Sequence, residues 1–319
     1  MSRLIFVPQF PQKLRYQEWF YSEFPNKLKN HFDEIIILGK DYINNNDYSN
    51  NSNPKNGMFS SIENSISFEQ IQIIEYLNLD VKKDDYLLLM DLSFPGFFTN
   101  ILYHKKPDNC YAYCHASSKN NLDYFEPVRN SKFVCETGHA KLFNKIFVGS
   151  KYHKRKLGTK WDNTVNVGLP IPPFQTFKEE KKYDIISVVR MNKQKIDENL
   201  ENLIERNFSN IVRKNVESWE EYYKFLSSGK VLLITTKEET FGYSALEAIM
   251  NNTIVIAPDA FSYPELLPKS FLYDNPDTLE MKLWLALNGD LECPRKILCQ
   301  DLCSNFYENI VGIMKKEVK

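Results

Sequence analysis

Two glutamates, Glu239 and Glu247, stand eight residues apart, and the residues between them read Thr240-Phe241-Gly242-Tyr243-Ser244-Ala245-Leu246. An apolar run ending near Thr235 predicts a strand, and the stretch from Tyr243 to Met250 predicts a helix that opens at Gly242. The first N–H groups of a helix have no partner within it and carry partial positive charge, so they attract phosphate. A glycine there lets a ligand approach the backbone closely. Glu239 precedes the helix and Glu247 falls in its second turn. One carboxylate can meet hydroxyls at the near end of a ligand and the other hydroxyls further along, with an anion site between them. A sugar, a diphosphate and a ribose in line have that chemistry.

A second group lies earlier, in Ile185-Ile186-Ser187-Val188-Val189-Arg190, with Lys195 five residues on. An arginine fork and a lysine point charge both suit phosphate oxygens. Asp91, His115 and Ser117 follow other strand-like runs, and Asp123 and Lys151 lie beyond them. In open α/β sheets ligands bind at the carboxyl ends of strands, which makes Asp91, Ser117, Asp123 and Lys151 candidates for the acceptor side and His115 a candidate site residue.

These residues need strands to hold them. Strands are expected at 4–7, 34–38, 86–90, 110–114 and 145–148, and again at 184–189, 230–234 and 253–257. Amphipathic helices are expected at 69–77, with Ile71, Ile74 and Leu77 on the apolar face, at 199–205 and at 219–226. Strand–helix alternation implies parallel sheets covered on both faces. Gly168-Leu169-Pro170-Ile171-Pro172-Pro173 breaks the pattern. The expected division is an N-terminal domain over 1–165, a linker over 166–177 and a C-terminal domain over 178–299, with a last helix over 300–319 packing back on the first domain. The Asn/Ser-rich stretch 44–61 reads as a long surface loop.

The E-x7-E spacing, with Phe241-Gly242 and Leu246-Glu247-Ala248 inside it and Arg190 and Lys195 upstream, resembles the retaining GT-B glycosyltransferases of the GT4-like group. The resemblance implies an α/β fold of two Rossmann-like domains whose parallel sheets face each other across a cleft. It implies a nucleotide-sugar donor, probed first as UDP-glucose, no metal and no cofactor. Arg190 and Lys195 would clamp the diphosphate, and Glu239 would orient the sugar. Phe241, Gly242, Tyr243 and Ser244 would line the donor, Glu247 would bind the ribose, and His115 would support the sugar. Departures exist. Val189 stands where a glycine is usual before the arginine, and Asn251-Asn252-Thr253 replaces a glycine-containing turn. Val7-Pro8-Gln9-Phe10-Pro11 stands in place of a glycine-rich loop, so the acceptor side is not carried over.

Composition sets outer limits. The 319 residues are 43% hydrophobic and 25% charged with a net charge of −1, as in ordinary globular proteins and unlike a globally basic nucleic-acid coat. No apolar run reaches the length of a membrane span, and a cytoplasmic location is the expectation. Six cysteines in a chain this long are not a disulfide framework, and buried, reduced thiols are expected. Residues 1–160 hold 21 Lys and Arg against 17 Asp and Glu, and much of the excess lies in Lys151, Lys154, Arg155, Lys156 and Lys160. With Tyr152 and Trp161 interleaved, this window reads either as a solvated helix face, the commoner case for a charge run, or as one that suits nucleic-acid phosphates and unstacked bases. The acceptor is then either a hydroxylated nucleic-acid base or a surface or lipid-linked glycan reached by peripheral membrane contact. A binding module that has kept the fold without catalysis is the non-enzymatic alternative. No obligate protein partner is implied.

Overall fold

The computed structural model describes residues 2–12, 14–45, 57–122, 128–170, 175–188, 195–294 and 305–316. Two compact units emerge. The first comprises residues 1–149, 154–172 and 305–319, the second residues 150–153 and 173–304.

The first unit is a six-stranded parallel sheet in the order β2-β1-β3-β4-β5-β6. Its strands are β1 (Arg3–Val7), β2 (Glu34–Ile37), β3 (Tyr86–Leu89), β4 (Asn109–Tyr113), β5 (Lys145–Val148) and β6 (Thr164–Asn166). The central strands are near-continuous apolar runs because helices cover both faces of a parallel sheet. Leu4, Ile5, Phe6, Leu87, Leu88, Ala112, Ile146 and Val148 are fully buried. The C-terminal helix Phe306–Lys316 belongs to this unit. The Tyr111 hydroxyl donates to the Met314 carbonyl at 3.0 Å, and the rings of Phe306 and Phe24 meet edge to face.

The second unit is a five-stranded parallel sheet in the order β11-β10-β9-β7-β8. Its strands are β7 (Tyr183–Val188), β8 (Ile211–Lys214), β9 (Gly229–Leu233), β10 (Ile254–Pro258) and β11 (Leu272–Tyr273). Helices Glu198–Asn207, Trp219–Ser228 and Tyr243–Met250 connect them. Asp197 caps the first of these, accepting from the amides of Asn199 and Leu200, and Ser218 caps the second, accepting from Glu221.

In both sheets the strand order reverses beside the first strand, between β1 and β3 in one unit and between β7 and β9 in the other. The loops leaving those strands diverge there and open a crevice at their carboxyl ends, the place where doubly wound folds bind ligands.

Three expectations change. Strands β6, β8 and β11 were not foreseen, because two are very short and β8 is a half-exposed edge with the sequence Ile-Val-Arg-Lys. The helix Gly57–Asn78 takes in the last residues of the expected loop 44–61, of which 46–56 lie outside the described residues. Its buried face is also a different one. Ile74 and Leu77 are more than half exposed, while Phe68, Glu69, Gln72 and Tyr76 face inward. Gln72 is buried because its amide donates to the carbonyls of Pro8 at 2.8 Å and Leu38 at 3.2 Å. Glu69 accepts the Phe98 amide at 2.7 Å. These two polar side chains pin the loops that leave the strands, so the Gln72 amide and one oxygen of Glu69 keep hydrogen bonds although buried.

Candidate functional site

The crevice of the second unit is built from the ends of β7 and β9. Beyond β7 the chain returns at Lys195, and residues 195–197 lie against the segment that leaves β9. Ile196 and Thr236 form an antiparallel bridge. The Lys237 amide donates to the Lys195 carbonyl at 2.7 Å and the Asp197 amide to the Thr235 carbonyl at 3.0 Å. Lys195 is thereby fixed beside the loop that carries Glu239. Arg190 and Val189 lie outside the described residues.

That loop holds itself in shape. The Oε1 atom of Glu239 accepts the amides of Thr240 at 3.1 Å and Phe241 at 3.2 Å. The Thr236 hydroxyl donates to the Glu238 carbonyl at 2.9 Å. Residues 150–153, which group with this unit, brace it from outside. The Ser150 hydroxyl donates to the Thr240 carbonyl at 2.9 Å and the Tyr152 hydroxyl to Glu238 at 3.1 Å. Phe241 is buried, its ring stacked on that of Tyr243 at 5.5 Å.

Gly242 is the N-cap of helix Tyr243–Met250 with φ +78°. A Cβ there would lie 2.6 Å from Leu266 Cδ1 and 3.2 Å from the Tyr263 ring. The glycine is thus required by the left-handed backbone and by packing, a different reason from the close ligand approach that its position suggested. The Gly242 carbonyl accepts from Ala245 and Leu246. Tyr243 and Ser244 occupy the first turn, where N–H groups point out of the helix end.

Glu247 lies on the same helix but faces inward, 5% exposed. The Tyr222 hydroxyl donates to its Oε2 at 2.7 Å, and Tyr223 adds a second hydrogen bond. Burial pushes its carboxyl up to about 7, and the tyrosines act the other way by favouring the charged form. A ribose would have to share this carboxylate with two tyrosines.

In the first unit the matching crevice, between β1 and β3, holds Asp91. Its Oδ2 accepts from Gln9 Nε2 at 2.5 Å, which joins the loops after the two strands, and its Oδ1 accepts the Ser93 amide at 3.0 Å. Burial holds the Asp91 carboxyl well above the usual range, and the nearby charges of Glu136 and Glu69 push the same way. The sequence pattern does not single out Gln9, because the glycine-rich loop that would mark this position is absent; its place two residues after β1 is the signal that points to it.

His115 stands just past β4 and is 1% exposed. Its ring packs against Tyr16 at 4.5 Å, Tyr113 at 4.6 Å and Phe20 at 4.8 Å. Ser117 is buried in a turn: its amide donates to Asn120 and its hydroxyl accepts from the Lys119 amide at 3.2 Å. Asp123 lies outside the described residues. Lys151 groups with the second unit, and Glu265 takes the amides of Lys151 at 2.7 Å and Tyr152 at 2.6 Å. Trp161 is no exposed stacking platform. It is 1% exposed, parallel to Phe133 at 6.1 Å, with its indole N–H donating to Thr137 at 3.2 Å. Of the cysteines described, Cys110 and Cys114 are buried and Cys293 half-buried, but Cys135 is exposed because it sits on the outer side of helix Arg129–Ala140; none of the four is in a disulfide. Among the described residues no helix is long and apolar enough to cross a membrane, and no cluster of three or more His, Cys, Asp or Glu could hold a metal ion.

Two parallel α/β units, each with its crevice at the carboxyl ends of its strands, constitute the GT-B architecture. Solved glycosyltransferases share it. Sucrose-phosphate synthase from Thermosynechococcus elongatus superposes with a TM-score of 0.63 over 100% of this chain and 98% of its own, at 10% identity. The pneumococcal O-GlcNAc transferase GtfA, solved with UDP and GlcNAc, gives 0.52 over 78% of this chain and 59% of its own, at 16% identity. In sequence, the tRNA-queuosine alpha-mannosyltransferase of Drosophila melanogaster is 30% identical over 125 residues, which is 39% of this chain. The match spans about a third of that curated relative, 33% of its length. No protein-family model matches the chain.

Proposed function

We propose that the chain is a glycosyltransferase that moves a sugar from a nucleotide sugar to an acceptor hydroxyl. The observation that carries this reading is the backbone ladder joining Lys195 to the Glu239 loop at the crevice of the second unit, with the helix Tyr243–Met250 opening beside it. The cation comes from one segment, the carboxylate and the helix N-terminus from another far along the chain, and the two segments are joined by backbone hydrogen bonds where doubly wound sheets bind ligands.

In the proposed reaction the bond between the anomeric carbon and the phosphate oxygen breaks, and the electron pair leaves with the diphosphate. The sugar passes through an oxocarbenium-like state. Lys195, Arg190 and the N–H groups of Tyr243 and Ser244 stabilise the charge that develops on the leaving group. Glu239 binds sugar hydroxyls; a carboxylate offers about four acceptor positions, so an oxygen that fixes the loop leaves the group able to take a ligand. Glu247 binds the ribose. The incoming hydroxyl attacks from the leaving-group face, its proton goes to the departing phosphate oxygen, and the anomeric configuration is retained.

A thermal-shift screen of nucleotide sugars tests the donor, since a ligand bound only to the folded state stabilises it by mass action. UDP-glucose is the first candidate, and GDP-mannose is included because the fly relative is a mannosyltransferase. Stabilisation by none of the nucleotide sugars refutes the reading, and binding without hydrolysis or transfer reduces it to a non-catalytic module. For the acceptor we favour a hydroxylated nucleoside within a nucleic acid over a glycan, because one relative matched in sequence is a tRNA-queuosine mannosyltransferase. Transfer of labelled sugar to a saccharide but to no nucleic acid would reverse that choice.

A further inference from the structure

We propose that the first unit carries a track for a nucleic-acid backbone, running from Lys119 through the 3₁₀ turn Gly158–Trp161 to the second half of helix Lys151–Leu157. The proposal rests on the glycosyl-transfer reading and names the class of acceptor that goes with it.

The track follows a line of contacts. Lys119, exposed just beyond the carboxyl end of β4, places its ammonium 4.5 Å over the Phe133 ring. Phe133 lies parallel to Trp161, and Trp161 closes the 3₁₀ turn that presents Lys160. Lys154 and Arg155 precede that turn on the helix, and all three cations are exposed. Phe133 is the buried ring under Lys119, and Trp161, also buried, lies parallel to it. This differs from the role that their spacing suggested, in which Trp161 would stack on a base.

Cations outnumber acids along this stretch. Residues 105–160 hold twelve Lys and Arg against four Asp and Glu. Of those acids, Glu136 is buried and turned inward onto the amide and hydroxyl of Ser118, with the hydroxyl at 2.6 Å. The neighbouring Asp162 is held by Lys141 at 2.8 Å. Lys154, Arg155 and Lys160 have no carboxylate partner among the described residues. A short run of exposed cations, continued by Lys119, fits the phosphates of a polyanion, whose binding releases counterions. A membrane fits less well: the segment 154–160 exposes no large apolar side chain to insert among acyl chains.

The test measures binding of labelled single-stranded DNA and RNA oligonucleotides by fluorescence anisotropy as salt is raised. Wild-type protein is compared with the triple variant Lys154→Gln, Arg155→Gln, Lys160→Gln. A charge-matched control, Lys27→Gln, Lys29→Gln, Lys40→Gln, removes three exposed cations elsewhere on the same unit. The expected result is weaker binding in the first variant, with the slope of log K against log salt shallower by about 2, and no such change in the control. Equal loss in both variants reduces the effect to net charge and overturns the proposal, as does failure of the wild type to bind either oligonucleotide. Binding of phosphatidylglycerol vesicles without binding of oligonucleotides, lost in the first variant, assigns the strip to a membrane and also overturns it. Stabilisation by nucleotide sugar, measured on the same preparations, is unaffected by these substitutions; its absence in the wild type strikes the glycosyl-transfer reading instead.

Discussion

The amide of Lys237 donates to the carbonyl of Lys195 at 2.7 Å. Through that bond the segment after β7 and the loop after β9 become one piece of structure. Because Lys195 is held by its backbone, its side chain can be removed without untying the loop. Lys195→Ala is therefore expected to lower turnover on the order of 10²-fold, as the loss of a preorganised charge-stabilising donor does, while the melting temperature stays within a degree or two of wild type. Steady-state transfer assays and a thermal melt check this, and wild-type turnover would remove Lys195 from the diphosphate.

Gly242 is constrained twice, by φ +78° and by the 2.6 Å that would separate a Cβ from Leu266 Cδ1. Gly242→Ala is expected to cost about 1–3 kcal/mol, combining the left-handed penalty with overpacking. Urea melts measure the loss. Adding Leu266→Ala tests the split, because it makes room for the methyl but cannot relieve the dihedral. Coupling between the two substitutions in a double-mutant cycle reports the steric part, and strict additivity would leave strain as the whole cause.

The sequence shows most of the β-strands and the helix at Gly242 because their apolar runs are long and buried on both faces. It shows the E-x7-E loop because glycine, aromatic and acid fall together. It conceals what tertiary contacts decide. Nothing in Gln72 or Glu69 says that a buried face would be polar; they go inward to meet loop carbonyls and an amide supplied by distant segments. Glu247 reads as a ligand-facing acid until Tyr222 and Tyr223, more than twenty residues away, enclose it. Trp161 reads as a stacking residue until Phe133 covers it.

Glu247 gives the pH prediction. Its folded-state pKa, about 7, lies above the ordinary value of 4.5, with burial the main cause. The folded protein therefore holds this proton more tightly than the unfolded chain does. The stability it contributes is fully present below about pH 4.5 and is lost as pH rises through about 7, a difference of about 3 kcal/mol for one group. Glu247→Gln is expected to flatten the pH dependence of unfolding over that window and to make the protein more stable than wild type at pH 8. If Glu247 binds the ribose, the same variant raises the donor's KM more than it lowers kcat. Parallel pH profiles for variant and wild type would contradict the burial argument, and an unchanged KM would separate the carboxylate from the ribose. Tyr222→Phe, which removes a hydrogen bond to the charged form, is expected to move the loss of stability to higher pH.

His115 is enclosed by Tyr16, Tyr113 and Phe20, so its ring fills space whatever else it does. His115→Ala should open a cavity and cost about 2–4 kcal/mol, in the range of large-to-small core substitutions. His115→Phe keeps a ring in the same aromatic box and is expected to stay within about 1.5 kcal/mol of wild type. Denaturant melts of the two variants establish the packing role. Turnover of the folded His115→Phe protein then isolates the imidazole: if it supports the sugar in the transition state, kcat falls while the donor's KM holds. A phenylalanine variant with both wild-type stability and wild-type kcat would show that this residue is a core aromatic in all but name.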